Sequence, residues 1–238
     1  MNFGWERLTE AVFRTRLPFL DVTIGLVVGD DGVLLIDAGS TLTEAAAIGD
    51  DVRSLAGRPV DSIVLTHNHF DHVLGFPAFE GAEVYCAPAV ADTVTHGAEH
   101  LRADALRHGA DPHEIDRALA LMRRPDHETT SIGLDLGGRS VAVSHPGRGH
   151  TDHDLIVVCR GDDRTVVFCG DLVEESGDPC IDDDSDPAAW PSTLDTVLAI
   201  GGDEAIYVPG HGGAVGAHFV RNQRRWLSDT VTKPDSNM

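Results

Sequence analysis

Three imidazoles and one carboxylate lie within six residues, in the segment His67-Asn68-His69-Phe70-Asp71-His72. Imidazole and carboxylate groups are the usual ligands of zinc and related divalent ions in proteins. The segment directly follows a short apolar run that is predicted to be a strand, and alternate residues of an extended chain point the same way. His67 and His69 can therefore bind one ion. Asp71 and His72, on the turn that follows, can bind a second ion.

This HxHxDH pattern resembles the signature of the metallo-β-lactamase superfamily, and the resemblance recurs at four further points. Three of them, His150, Asp171 and His211, each follow an apolar run and have glycine neighbours. The resemblance implies that His150 completes the first metal site, that His211 completes the second, and that Asp171 bridges both ions. The full implied ligand set is His67, His69, Asp71, His72, His150, Asp171 and His211. The fourth point, Asp37, matches an aspartate that orients a ligand rather than binding metal.

The resemblance implies a dinuclear metal-dependent hydrolase. Two divalent ions roughly 3.5–4 Å apart can share a water molecule and lower its pKa from about 15.7 toward about 7. The resulting hydroxide would attack an ester, thioester, lactone or related small-molecule bond. Asp71 would hold one metal and accept a hydrogen bond from the hydroxide, which makes it the candidate catalytic residue. Zinc is the expected metal, and iron and manganese are compatible with histidine and aspartate ligands.

The residues around Asp171 narrow the substrate class. Most β-lactamases of the superfamily carry cysteine or serine at this position, so the aspartate resembles the thioesterase, lactonase and phosphodiesterase branches instead. Lactonases of acyl-homoserine lactones usually carry tyrosine three residues later, where this chain has Glu174. The ligand set is like that of glyoxalase II. The residues after His211, however, are predicted to form only about one helix, without the helical C-terminal region that binds glutathione.

Two other classes of function stay open. The first is a mononuclear iron oxidoreductase similar to persulfide dioxygenases, whose ligands would be His67, His150 and Asp171. The second, less favoured, comprises a β-lactamase and a metal-binding protein without catalytic activity. An inactive protein would usually lack a ligand, and this sequence lacks none.

Strand-like and helix-like segments alternate along the chain, which predicts a layered α/β fold. Strands are predicted at Val22–Val28, Val33–Asp37, Ser62–Thr66, Glu83–Cys86, Ser131–Leu136, Ser140–Ser144, Asp154–Cys159, Thr165–Cys169 and Ala205–Val208. Helices are predicted at Thr43–Leu55, Trp190–Ile200 and Gly216–Leu227. The resemblance implies a four-layer αββα sandwich. We expect one domain over residues 1–238, with a helical insert at about residues 88–124 in which a second helix begins at Asp111-Pro112.

The formal net charge of −21 opposes binding to nucleic acid or to anionic lipid. No stretch approaches the roughly 20 apolar residues of a membrane span. Charged residues interrupt the first 20 residues, so we expect no signal peptide and a cytoplasmic location. The expected partner is a small-molecule substrate. The sequence leaves open whether the chain forms a homo-oligomer.

Several features near the motifs have two interpretations each. Apolar residues of the insert either pack onto the core, which we favour, or cover an apolar substrate. The acidic run Asp182–Asp186 is predicted to be a solvated loop, although it could also disfavour anionic substrates. Trp190 either lines the pocket or anchors its loop. His153, three residues after His150, is a candidate contact to a metal ligand or to the substrate, and Cys180, in a polar loop, is a candidate reactive thiol.

Overall fold

The computed structural model describes residues 1–161 and 164–232. The expected domain limits of 1–238 include residues 162–163 and 233–238, which lie outside the described residues. The first seven strands form one sheet in sequential order: β1 (Glu6–Arg7), β2 (Val12–Arg16), β3 (Thr23–Val28), β4 (Val33–Ile36), β5 (Ser62–Val64), β6 (Glu83–Cys86) and β7 (His127–Glu128). The second sheet has the order β12-β11-β10-β9-β8, from β8 (Ser131–Asp135), β9 (Ser140–Ser144), β10 (Ile156–Arg160), β11 (Thr165–Glu174) and β12 (Ile206–His211).

Alternate residues of the second sheet face opposite sides, which places this sheet between two apolar layers. In β10, Val157 and Cys159 pack in the same core cluster as the first sheet. Their neighbours Ile156 and Val158 pack instead in a second cluster with apolar residues of the C-terminal helices. The two sheets therefore stack face to face, and helices cover their outer faces. This arrangement confirms the predicted four-layer αββα sandwich.

Seven α-helices complete the described fold: α1 (Leu42–Ala56), α2 (Phe70–Val73), α3 (Pro88–His96), α4 (Ala98–Arg107), α5 (Pro112–Ala120), α6 (Trp190–Gly201) and α7 (Ala217–Thr232). Helix α1 covers the first sheet through Ala45, Ile48 and Val52. Helices α6 and α7 cover the second sheet through residues such as Leu194 and Leu227. The described residues contain no helix long and apolar enough to cross a membrane.

The insert has three helices rather than the expected two. Helix α3 ends at His96, and Gly97 separates it from α4. Helix α5 begins where the Asp111-Pro112 pair predicts, because the Asp111 carboxylate accepts hydrogen bonds from the backbone N–H groups of His113 and Glu114. Four of the eight large apolar side chains of the insert are buried in the core, which agrees with the favoured interpretation: Val90, Val94, Leu101 and Ile115. Leu119 and Met122 pack against the core while partly exposed, and Leu121 is exposed.

The ligand-bearing segments meet where several strands end. Strands β4, β5 and β6 are parallel, and β11 is parallel to β12. Strand β5 ends just before His67, and β12 ends at His211. Strand β11 runs five residues beyond the predicted end at Cys169, so Asp171 lies within a strand rather than after one. Gly170, at φ 52°, interrupts the register there, and that irregularity turns Asp171 toward the site.

Candidate metal centre

A first group of donor atoms comes from four of the predicted residues: His67, His69, His150 and Asp171. Their donor atoms all lie within 4.8 Å of one another. His150 Nε2 lies 2.9 Å from His69 Nδ1, and an Asp171 oxygen lies 3.5 Å from the Nε2 atoms of both His67 and His150. Four convergent imidazole and carboxylate donors match the coordination number that zinc prefers.

A second group adjoins the first and contains Asp71, His72 and His211. His72 Nε2 and His211 Nε2 are 3.3 Å apart, and Asp71 Oδ2 lies 3.4 Å from His211 Nε2. The two Asp171 oxygens reach this group as well, at 3.2 Å from His72 Nε2 and 3.3 Å from His211 Nε2. Asp171 therefore lies between the two groups. The structure thus brings together all seven residues that the sequence resemblance implies as ligands.

The outer nitrogens of two imidazoles are held by a network centred on Asp37. Its buried carboxylate accepts hydrogen bonds from His72 Nδ1 at 2.9 Å and from the Thr66 hydroxyl at 2.9 Å. Since the Thr66 hydroxyl donates to Asp37, it can only accept from His67 Nδ1, at 2.9 Å. Both rings therefore carry a proton on Nδ1 and present the lone pair of Nε2 to the site. Asp37 has the ligand-orienting position that we expected.

Two further imidazoles are oriented by backbone carbonyls, which can only accept. His211 Nδ1 donates to the carbonyl oxygen of Leu20 at 2.7 Å, and His150 Nδ1 donates to that of Cys180 at 3.2 Å. Leu20 has φ 54°, which is an uncommon value for a residue other than glycine. In this conformation its carbonyl oxygen lies beside His211 Nδ1. Both rings consequently present Nε2 to the site.

The acidic run Asp182–Asp186 contributes to the site and is not only a solvated loop. Asp184 Oδ2 accepts a hydrogen bond from His69 Nε2 at 3.3 Å, which leaves His69 Nδ1 as the inward atom. His69 is thus the one histidine of the five that presents Nδ1 rather than Nε2. The loop is fixed in place because Ser185 Oγ donates to the carbonyl oxygen of His150 at 2.7 Å.

The inward atoms fit divalent cations. His67 Nε2 and Asp171 Oδ1 are buried and have no hydrogen-bond partner among the described residues, a condition that a bound cation would relieve. Burial lowers the pKa of His150 to about 4, so its imidazole is neutral and able to bind a cation at pH 7. Burial also acts to lower the pKa of His211, but the Asp171 and Asp71 carboxylates outweigh it and raise that pKa to about 10, so a cation bound there would displace a proton from this imidazole.

A cavity of about 240 Å³ opens onto the two groups. It is smaller than the roughly 300–1,000 Å³ of typical drug-sized pockets. The insert contributes a polar part of the wall, Asp104 and His108, and no apolar cover. The His108 ring stacks on Phe70, with ring centroids 5.7 Å apart. Glu174 also lines the cavity, and burial followed by the charge of Asp171 raises its pKa to about 7.

Comparison with known proteins identifies the fold family. Residues 17–211, most of the chain, match the family described as the metallo-beta-lactamase superfamily. The chain belongs to the metallo-beta-lactamase superfamily. The curated relatives that this chain matches include proteins named as a ribonuclease and as a beta-lactamase.

Two curated relatives illustrate the range of proteins to which this chain is similar. A ribonuclease of Thermus thermophilus is 32% identical over 149 residues, which cover 60% of this chain and 32% of the relative. A type 2 metallo-beta-lactamase of Bacteroides fragilis is 27% identical over 116 residues, which cover 46% of each protein. The chain thus spans only 32% and 46% of the length of these two relatives.

Solved structures show the same fold. A metallo-beta-lactamase from Pontibacter korlensis superimposes with a TM-score of 0.73 at 19% sequence identity. The superposition covers 95% of this chain and 99% of that protein. At this identity the likeness concerns the superfamily fold alone.

Sequence reasoning did not find the groups that orient the ligands, apart from Asp37. The carbonyls of Leu20 and Cys180 leave no signal in side-chain type, and Thr66 was recognised only as the end of a strand. Asp184 had a signal, since it lies in an acidic run shortly after Asp171, but a solvated loop was the expected interpretation. The negative charge of the acidic run can be read from the sequence, whereas the contact of Asp184 with His69 depends on how the loop folds.

The structure decides between the alternative interpretations of Trp190, Cys180 and His153. Trp190 is fully buried and donates from Nε1 to the carbonyl oxygen of Leu172 at 3.0 Å, so it anchors its helix rather than lining the cavity. Partial burial and the neighbouring Asp182 carboxylate raise the pKa of the Cys180 thiol to about 12, so this thiol stays protonated at neutral pH. His153 pairs with Asp152 and lies outside both donor groups.

Replacing Asp37 tests its orienting role. Asp37→Ala removes the acceptor for His72 and Thr66, and we expect metal affinity to fall about 10- to 100-fold, as is usual when such a partner is lost. Asp37→Asn should lose less, because its amide oxygen still accepts one hydrogen bond and asparagine tolerates the φ of 60° found here. Titration with zinc against a chromophoric chelator measures both affinities. Equal, wild-type affinity in both variants would contradict the assignment.

Proposed function

We propose that this chain is a dinuclear zinc hydrolase of small carboxylic esters, thioesters or lactones. The observation that carries this proposal is the convergence of two donor groups on Asp171, with the outer nitrogen of every contributing imidazole held by a hydrogen bond. In the proposed assignment His67, His69 and His150 would hold one ion, His72, Asp71 and His211 would hold the other, and Asp171, which lies between the two groups, would contribute to both. Ions bound there would supply hydroxide near neutral pH and polarise the substrate carbonyl.

The protein's own side chains then have separate roles. Asp71 lines the cavity, which supports the proposal that its carboxylate would accept a hydrogen bond from an attacking water and act as the catalytic residue. Asp37, Thr66 and Asp184 keep the ligand rings in the required tautomers. The small cavity supports a small-molecule substrate, whereas the net charge of −21 opposes a polyanion such as RNA.

Metal content per chain tests the proposal first. We expect about two zinc ions in protein purified without added metal, together with turnover of a panel of esters, thioesters and lactones. Removal of the ions by a chelator should abolish turnover, and zinc should restore it. Two bound ions with no turnover across the panel would favour a binding protein. A single iron would favour the mononuclear oxidoreductase, to be assayed by oxygen uptake with a persulfide.

A further inference from the structure

A buried arginine lies beside the segment that carries His211. Arg14, in β2, is 7% exposed, and its Nη1 donates to the backbone carbonyl oxygen of Gly212 at 2.8 Å. On its other side Glu6 Oε2 accepts from Nε at 2.8 Å and lies 2.6 Å from Nη2. Burial of a charged group costs free energy that an ion pair often fails to recover, so the pair by itself is weak as a source of stability. The contact with Gly212 is therefore the feature that needs a role.

The carbonyl group of Gly212 depends on Arg14 for its shorter hydrogen bond. Gly212 is buried, and in residues 1–161 and 164–232 the other donor to its carbonyl oxygen is the Thr23 hydroxyl, at 3.3 Å. The Gly212 N–H donates to the carbonyl oxygen of Asp21 at 3.2 Å. A buried carbonyl that loses its better donor favours a shift of the backbone toward another partner. Without Arg14, the backbone at Gly212 should therefore move.

The chain between β2 and β3 holds the ring of His211 as well as its backbone. His211 Nδ1 donates to the carbonyl oxygen of Leu20 at 2.7 Å, and Val22 forms an antiparallel bridge with His211. Leu20 and Asp21 have φ values of 54° and 60°, which residues other than glycine adopt only when the surrounding contacts impose them. The hydrogen bond from Arg14 to Gly212 is one of the contacts that join this segment to His211.

The three histidines of the first donor group are held by other parts of the chain. Their outer nitrogens bond to Thr66, Asp184 and the carbonyl oxygen of Cys180. Over the part of the chain that the structure describes, Arg14 makes no hydrogen bond to these three residues. An effect of Arg14 on a metal ligand therefore passes through the His211 segment.

We propose that Arg14 is a positioning residue for His211. Its guanidinium fixes the carbonyl of Gly212, the fixed backbone places the imidazole of His211, and this imidazole belongs to the second donor group. The inference rests on the proposed function, because it assigns a residue that sets the affinity of the second proposed metal site. Its consequence is selective: loss of Arg14 weakens the second site and leaves the first site unchanged.

Arg14→Met tests this selectivity. Methionine fills a similar volume without the charge, and Glu6, whose side chain is 53% exposed, can be solvated on its own. We expect the dissociation constant of the second zinc ion to rise about 10- to 100-fold, the range usual when a group that orients a ligand is lost. That of the first zinc ion should keep its wild-type value. A two-step zinc titration against chromophoric chelators measures both constants.

Two further variants separate the contact with Gly212 from the ion pair. Arg14→Lys should give an intermediate second-site affinity, because an ammonium group can donate to one partner but lacks the planar fork that reaches both. Glu6→Gln is the matched control: it removes the charge of the pair, keeps an oxygen that accepts from Arg14 and leaves the contact with Gly212 in place. Both of its constants should equal those of the wild type. Equal weakening of both sites in Arg14→Met, or an unchanged second site, would overturn the inference.

The Nδ1 proton of His211 gives a readout that needs no metal. In the metal-free wild type its hydrogen bond to Leu20 should slow exchange with water and yield a resolved nuclear magnetic resonance signal that His211→Gln lacks. Loss of this signal in Arg14→Met supports the positioning role even if the wild type binds one metal or cleaves no substrate, which overturns only the hydrolase proposal. A signal unchanged in Arg14→Met, or absent from the wild type, overturns the inference and leaves the hydrolase intact.

Discussion

Asp171→Asn is expected to lower kcat/KM on the order of 10³-fold or more and to reduce the bound metal below two ions per chain. Asparagine keeps the size of the side chain but removes the charge that the two donor groups share. Asp171 oxygens lie 3.2–3.5 Å from the Nε2 atoms of His67, His72, His150 and His211, so both proposed metal sites lose a ligand at once. Elemental analysis and steady-state kinetics on the same preparation measure both effects.

Asp183→Asn is the matched control for this variant. It makes the same change of charge at an exposed position of the acidic run that contains Asp184. We expect wild-type metal content and near wild-type turnover. If Asp171→Asn retained two metals and full activity while its circular dichroism spectrum matched the wild type, the bridging role of Asp171 would be wrong.

Gly210→Ala is expected to lower kcat/KM about 100-fold, although it adds only one methyl group. A Cβ atom at Gly210 would lie 1.8 Å from Asp171 Oδ1 and 2.9 Å from the Asp171 backbone nitrogen. Rotation of the Asp171 side chain cannot relieve both contacts, so strand β12 or Asp171 must move. A displacement of about 1 Å in an active site can reduce a rate about 100-fold. Overpacking should also lower the free energy of unfolding by about 1–3 kcal/mol.

Gly216→Ala provides the comparison, because a Cβ atom there would meet nothing within 4 Å. It makes the same chemical change shortly after β12, and we expect little change in activity. Zinc titration and urea unfolding of both variants distinguish a displaced carboxylate from general destabilisation. Wild-type zinc affinity and activity in Gly210→Ala would show that the close approach of β12 to Asp171 has no functional consequence.

The sequence predicted accurate bounds for elements that a pattern of neighbouring residues specifies. The strand predicted at Ser140–Ser144 has those bounds in the structure, and Val33–Asp37 differs by one residue from β4. The seven proposed ligands were found because each belongs to a short motif beside an apolar run. Such motifs need no knowledge of tertiary contacts, and the family resemblance supplied the order in which they occur.

The elements that the sequence missed depend on distant contacts. No strand was predicted at β2, because Arg14 and Arg16 interrupt its apolar pattern. In the structure the Arg14 side chain is buried, and its guanidinium donates to the carbonyl oxygen of Gly212 at 2.8 Å, far along the chain. The end of β11 was placed too early for a related reason. Its continuation past Gly170 is stabilised by pairing with β12, which no local pattern reveals.

The groups that hold the outer nitrogens come from separate parts of the chain: Leu20, Asp37, Thr66, Cys180 and Asp184. Bringing them together requires both sheets, the segment before β3 and the loop after β11 to be in place. Chains dominated by such non-local contacts fold slowly, and a fragment that lacks any of these segments lacks part of the hydrogen bonding that orients the ligands. Affinity for metal therefore reports how completely the chain has folded. A variant that damages any one of these distant segments would lose metal before it lost most of its secondary structure.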